Sequence, residues 1–169
     1  ELRVVDLSGF ELGQILKAGK LVIYGDVGQT FLYGAKGGDV YVQGNAAGRP
    51  LINAVGRPRV VINGTCLDYL AESCMAGDPL KGGGFVILNG LEFDDNGAIR
   101  EQAAPYPGSN LFSLASGGAI YLRDPQPQQF NEWADTFFEV ASTLNPILFW
   151  DIETNYKMNK EDDESEYDE

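Results

Sequence analysis

Five short segments of the chain alternate apolar residues and then reach a turn residue. Alternation over four or five residues predicts a strand that buries one face. The segments end at intervals of 19, 20, 26 and 34 residues, a repeat that predicts a solenoid of stacked coils. They are LVIYG ending at Gly25, VYVQG at Gly44, VVING at Gly64, VILNG at Gly90 and IYLRD at Asp124.

Glycines frame these predicted strands, and paired glycines precede three of them. A glycine is required where φ is positive or where two backbones approach too closely for a Cβ atom. We therefore predict structural glycine corners, the points at which a coil turns from one side to the next. The predicted corners are Gly25, Gly28, Gly34, Gly37, Gly38, Gly44, Gly64, Gly77, Gly83, Gly84, Gly90, Gly117 and Gly118.

Weaker apolar patterns lie between the strands, at residues 30–35, 50–56, 68–77 and 110–117. Their alanine, serine and glycine content suits closely stacked layers, so we expect them to form the other sides of each coil. The polar, turn-rich stretch from Gly90 to Asn110 predicts a loop that projects from one coil.

Helical patterns flank the repeat. The start, LRVVDL, predicts a strand, and Ser8 with Glu11 forms a capping box that opens a short helix ending at Gly19. The apolar set of that helix is Leu12, Ile15 and Leu16. A second helix is predicted after Pro127 and before Asn145-Pro146. Its apolar side is Phe130, Trp133, Ala134, Phe137, Phe138, Ala141 and Leu144.

The predicted fold class is therefore mainly β, a single-stranded right-handed parallel β-helix with short N-terminal and C-terminal capping helices. We expect residues 1–124 to form the β-helix with its N-terminal cap. Residues 125–156 would form a helical extension, and residues 157–169 an acidic, disordered tail. Trp133, Phe149 and Trp150 are expected to dock on the solenoid or on a partner.

The formal net charge is −13, from 12 basic and 25 acidic residues. Glu161–Glu169 carries seven of the acids, and no basic stripe or cluster is visible along the rest of the sequence. We therefore expect neither nucleic acid nor a membrane as a partner. The chain has no histidine and two cysteines, Cys66 and Cys74, which are too few for a disulfide framework and favour a cytoplasmic location.

Long runs of the repeat resemble the GXGXG domain family. The runs are GQILKAGKLVIYGD (13–26), GDVGQTFLYGAKGGDVYVQG (25–44), VVINGTCLDYLAESCMAG (60–77) and NLFSLASGGAIYLRD (110–124). This family supplies the C-terminal β-helix of glutamate synthase large subunits and is related to one of the subunits of formylmethanofuran dehydrogenase. The chain departs from the glutamate synthase pattern at 70–74, which favours a divergent relative or a stand-alone subunit.

The resemblance implies a non-catalytic scaffold that organises glutaminase and FMN-binding domains or subunits. We expect its interface to be the flat faces of the coils and the glycine corners, where backbones can approach closely. FMN and an iron–sulfur cluster would then lie in those partners, with no cofactor, metal or catalytic residue in this chain. The parent assembly would be a glutamate-synthase-like amidotransferase or oxidoreductase of nitrogen metabolism. One alternative is the scaffold subunit of a formylmethanofuran-dehydrogenase-like complex, and another is a carbohydrate-active β-helix enzyme that uses Glu92 and Asp94.

The remaining candidate catalytic, metal-binding and phosphate-binding residues are better explained by structural roles. Without histidine, Cys66 and Cys74 have no activating base, so we interpret them as buried apolar fillers. Asp94-Asp95-Asn96-Gly97 lacks the spacing of a calcium loop and predicts an Asx turn. Gly25, Gly28, Gly34, Gly37 and Gly38 precede strands rather than a helix N-terminus, so corner geometry explains them without a bound phosphate.

Overall fold

The computed structural model describes residues 2–4, 12–94, 96–104 and 106–123. Within these ranges the protein is a parallel β-solenoid, and its one helical element is the 3-10 turn Pro79–Lys81. The strands are β1 (Leu2–Val4), β2 (Lys20–Ile23), β3 (Asp39–Val42), β4 (Arg59–Ile62), β5 (Phe85–Leu88), β6 (Leu91–Phe93), β7 (Ile99–Glu101) and β8 (Ala119–Leu122). Six of them form one parallel sheet in the order β1-β2-β3-β4-β5-β8. The predicted repeat of strands is confirmed.

Alternate residues of β2–β5 point into the solenoid and form two buried columns. One column is Leu21, Val40, Val60 and Val86, and the other is Ile23, Val42, Ile62 and Leu88. All eight side chains are at most 4% exposed. Burying one such side chain stabilises the fold by about 1.5–3 kcal/mol, and a slip of one residue would turn a whole strand outward. The columns therefore fix the register of the coils.

Two ladders of single parallel bridges form the other sides of the coil. Val27, Ala46 and Cys66 pair in one ladder, and Val55, Met75 and Gly117 pair in the other. Phe31, Leu32, Leu51 and Leu70 fill the space between them. The interior is thus enclosed by one sheet and two narrower ladders. The ladder of Val55, Met75 and Gly117 lies in the weak apolar patterns that were expected to form the other sides of the coil, whereas the ladder of Val27, Ala46 and Cys66 lies just before them in sequence.

The segments that connect the two ladders adopt an unusual turn in every coil. Leu32, Leu51, Ala71 and Phe112 all have φ near +60°, in the left-handed region. The residues two positions before and after each of them also have positive φ: Thr30, Gly34, Arg49, Asn53, Tyr69, Ser73, Asn110 and Leu114. Each left-handed L-residue costs about 1–2 kcal/mol. Inter-coil hydrogen bonds offset this cost, as in Leu51 N to Phe31 O at 2.8 Å and Ala71 N to Pro50 O at 2.9 Å.

The predicted N-terminal helix is not found in residues 12–19, the described part of that segment. Gly13 and Ile15 have positive φ, and Ile15 N donates to Tyr33 O at 2.8 Å. The segment is another coil turn of the same kind. Its apolar spacing fits a helix and a turn of alternating handedness equally well, which explains the wrong prediction. The predicted C-terminal helix, the acidic tail and their aromatic residues lie outside the described residues.

The predicted projecting loop contains a hairpin. β6 and β7 pair antiparallel, with Leu91 opposite Glu101 and Phe93 opposite Ile99. The chain then returns to the solenoid through Tyr106, which is buried and whose hydroxyl donates to Ser109 O at 2.7 Å. Leu91 N donates to Asn63 O at 2.8 Å and Ser109 N donates to Asp68 Oδ1 at 2.7 Å, so the excursion is anchored on the coil at both ends.

The predicted glycine corners fall into three groups. Positive φ occurs at Gly34, Gly38, Gly77, Gly90 and Gly118. A Cβ would approach a neighbouring atom within 3.0 Å at Gly37, Gly44, Gly64, Gly83, Gly84 and Gly117. At Gly25 the close approach comes from the next coil, because a Cβ added at Gly44 would lie 2.9 Å from the Gly25 carbonyl oxygen. Gly28 is buried.

Two half-buried serines test the cost of the left-handed turns. Ser73 has φ +54°, whereas Ser113, which accepts a hydrogen bond from Ser73 N, lies outside the left-handed region. We expect Ser73→Gly to stabilise the protein by about 0.5–1 kcal/mol, because glycine removes the left-handed strain at a smaller entropic cost. Ser113→Gly should destabilise it by a similar amount. Urea unfolding measures both, and destabilisation by Ser73→Gly would contradict the turn assignment.

Candidate interaction surface

The outward side of the parallel sheet carries apolar residues along its middle. We call the outward residues of β2–β5 and β8 the outer face. Its central column is Val22, Tyr41, Val61, Ile87 and Tyr121, paired in register across five strands. Tyr41 is 43% and Tyr121 50% exposed. A parallel sheet is usually covered on both sides, so an apolar outer face is typical of a surface that another element covers.

Aromatic residues extend the outer face on both sides of the column. Phe85 and Tyr121 meet edge to face, with ring centroids 6.0 Å apart. Phe93 of β6 closes a groove of about 290 Å³ that includes Tyr24 and Tyr41. The sheet and the hairpin together therefore form a concave apolar surface.

Polar side chains stack where the strands end. Asn89 Nδ2 donates to Asn63 Oδ1 at 2.9 Å, and Arg123 Nη2 pairs with Glu101 Oε1 at 2.7 Å. These bonds join β4 to β5 and β8 to the hairpin. They fix one rim of the outer face.

A second, more polar groove of about 720 Å³ follows the ladder of Val27, Ala46 and Cys66. Asp26 Oδ1 accepts from Asn45 N at 2.7 Å, and Asn45 Oδ1 accepts from Thr65 N at 2.9 Å. Gln102 Nε2 donates to the same Asn45 oxygen at 2.8 Å. These polar groups satisfy one another and hold the coils in register, so the groove wall is structural.

Both cysteines lie inside the coil. Cys66 is 1% and Cys74 5% exposed. Burial, followed by the negative charge of Asp68, raises the pKa of the Cys66 thiol, and burial also raises the pKa of Cys74. Neither environment favours a thiolate nucleophile, in agreement with the predicted filler role.

The acidic candidates in the hairpin have structural contacts. Asp94 Oδ1 accepts from Asn96 N and Ala98 N, both at 2.9 Å, and its other oxygen pairs with Arg100 at 3.1 Å. The predicted Asx turn is confirmed. Glu92 is exposed on β6, and the described residues bring together no group of three His, Cys, Asp or Glu side chains that could hold a metal ion.

Asp68 ties the returning loop to the solenoid. Its Oδ1 accepts from the Ser109 hydroxyl and from Ser109 N, each at 2.7 Å. These two hydrogen bonds hold the pKa of Asp68 below its usual value. The carboxylate therefore favours the folded state at neutral pH.

The sequence contained a signal for the outer face, in the apolar residues that fill both alternating sets of each strand segment, as in LVIYG. A run without polar members predicts a strand buried on both sides. Taking only the inward set as the core left Val22, Val61 and Ile87 without a role. The expectation that the flat faces of the coils and the glycine corners form the interface was therefore not narrowed to this side of the sheet.

The buried thiols should be unreactive in the native protein. We expect Cys66 and Cys74 to react with Ellman's reagent only after unfolding, because a protected and protonated thiol does not attack a disulfide. Ala103→Cys, at an exposed position, provides a control that should label quickly. Rapid labelling of either native cysteine would contradict the buried assignment.

The Asp68 hydrogen bonds predict a pH dependence. Because the folded-state pKa is depressed, the stabilisation is fully present above the unfolded pKa of about 3.9 and is lost as pH falls through the folded value. Asp68→Asn should therefore reduce the difference in unfolding free energy between pH 7 and pH 3, measured with urea. Glu92→Gln removes one charge from an exposed strand and should leave that difference close to the wild-type one. Identical pH profiles for wild type and Asp68→Asn would rule out the assigned role.

Comparison with family models, curated proteins and solved structures finds no match to this chain.

Proposed function

We propose that this chain is a non-catalytic scaffold domain or subunit of a glutamate-synthase-like amidotransferase or oxidoreductase. It would hold glutaminase and FMN-binding or iron–sulfur partners in a fixed relation, in the cytoplasm. The proposal includes a right-handed coil, the hand that parallel crossover connections adopt almost without exception. Among the described residues, no helical segment has the length and hydrophobicity that spanning a bilayer requires.

The outer face is the structural feature that best supports this proposal. Five strands present a continuous apolar column on a sheet whose inward side is already filled by Leu21, Val40, Val60 and Val86. Covering these residues contributes nothing to the solenoid core, but it stabilises a complex by removing apolar surface from water. The resemblance to the GXGXG family is the reason for proposing glutaminase and FMN-binding domains or subunits as the partners.

Affinity purification of the full-length protein from its own cells tests this proposal. We expect a glutaminase and a flavoprotein to be recovered, identified by mass spectrometry and by the flavin and iron–sulfur absorbance of the complex. The double variant Tyr41→Glu/Tyr121→Glu should lose these partners, because it places two charges in the centre of the apolar column.

Tyr33→Glu is the matched control, because Tyr33 is 40% exposed but belongs to a turn segment rather than to the outer face. It should retain the partners. Glutaminase or redox turnover by the isolated chain would contradict a non-catalytic scaffold, and partners retained by the double variant would exclude the outer face as the contact.

A further inference from the structure

The solenoid does not share the acidic character of the whole chain. Residues 12–123 contain nine basic and nine acidic residues, a net charge of zero, whereas the chain carries −13. The distribution within the solenoid is also uneven. Six of the nine basic residues lie at one corner, where the coil passes from the ladder of Val55 and Met75 into the parallel sheet.

We call this the basic corner: Lys17, Lys20, Lys36, Arg57, Arg59 and Lys81. The backbone places its members in successive coils. Lys36 N donates to Leu16 O, next to Lys17, at 2.7 Å, and Arg57 N donates to Lys36 O at 3.1 Å. A Cβ on Gly82, beside Lys81, would lie 3.9 Å from Arg57 Nη1. The cations therefore form a stripe along the solenoid, about 4.8 Å per coil.

The charges of this stripe are accessible. All six side chains belong to exposed residues. The ion pairs that the structure describes here are Arg59 with Asp39 at 2.6 Å and Lys81 with Asp78 at 3.4 Å, and neither includes Lys17, Lys36 or Arg57. Like charges stacked in neighbouring coils repel one another, so a bound anionic group relieves that repulsion.

The stripe corrects the expectation that the chain has no basic cluster. Lys17, Lys36, Arg57 and Lys81 follow one another at intervals of 19, 21 and 24 residues, which no local pattern of charge reveals. The coil period brings them together. Comparing the charges of residues one coil apart, rather than of neighbours in sequence, would have identified the stripe.

We propose that the basic corner binds an acidic segment of a partner polypeptide. Nucleic acid fits less well, because residues 16–20, 35–39, 54–59 and 76–84 contain no aromatic side chain on which a base could stack. Asp39 and Asp78 also interrupt the stripe, which disfavours a continuous polyphosphate more than a peptide of spaced carboxylates. The basic corner shares Lys20 and Arg59, the first residues of β2 and β4, with the outer face. Lys17, Lys36, Arg57 and Lys81 lie outside those strands, so a test that replaces Lys36 and Arg57 can fail or succeed independently of the proposed scaffold function.

The test measures binding of a labelled peptide to the full-length protein by fluorescence anisotropy. The probe has the sequence of residues 161–169, EDDESEYDE, added in trans, and the control probe carries glutamine and asparagine in place of its acids. We expect only the acidic probe to bind, with affinity that falls as salt is raised from about 20 to about 150 mM, because exposed charge pairs are screened.

The double reversal Lys36→Glu/Arg57→Glu should weaken binding about tenfold or more. Arg100→Glu/Arg123→Glu makes the same change in net charge away from the corner and should bind nearly as well as wild type, with thermal melts confirming that both variants fold. Equal losses in the two double variants would overturn the proposal. If a nine-nucleotide oligothymidylate binds more tightly than the acidic peptide, the proposal of an acidic peptide ligand is overturned in favour of nucleic acid.

Discussion

The hydrogen-bonded stacking of one coil on the next is the interaction on which the rest of this structure depends. No single coil can bury its own apolar residues, so Val40 is covered only because Leu21 and Val60 lie on either side of it in register. The same stacking aligns the outward residues. An apolar residue at the same position in five strands forms a continuous face, and a cation at the same position in four coils forms a stripe. The residues of each set are far apart in sequence.

Much of the solenoid could be predicted, because two of its determinants are local. Alternating apolar residues specify the strands, and glycines such as Gly44 and Gly64 are required where a Cβ would meet the backbone of the preceding coil. The period between them then identifies the repeat. The N-terminal helix failed because Leu12, Ile15 and Leu16 satisfy a helical spacing as well as a coil turn, and only the neighbouring coil decides between the two.

The candidate surfaces were less predictable because they form only when the coils stack and bring residues from distant parts of the sequence together. Tyr41 and Tyr121 are 80 residues apart in sequence, yet only the two strands β4 and β5 separate them in the sheet. The left-handed turns have the same origin. Leu32 and Leu51 adopt positive φ against their own preference, since burial and bonds to adjacent coils outweigh a local cost of about 1–2 kcal/mol each. Sequence reasoning that assigns positive φ to glycine therefore misses most of these positions.

The two proposed surfaces meet along one boundary. Lys20 and Arg59 begin β2 and β4, and Lys20 Nζ lies 5.4 Å from the centre of the Tyr41 ring in the apolar column. The outer face thus has an apolar centre and a cationic rim on the side of the basic corner, which is the general arrangement of a protein interface. A partner that matches both would carry an apolar patch bordered by carboxylates. Apolar burial would then supply affinity, and the charged rim would set orientation and the rate of association.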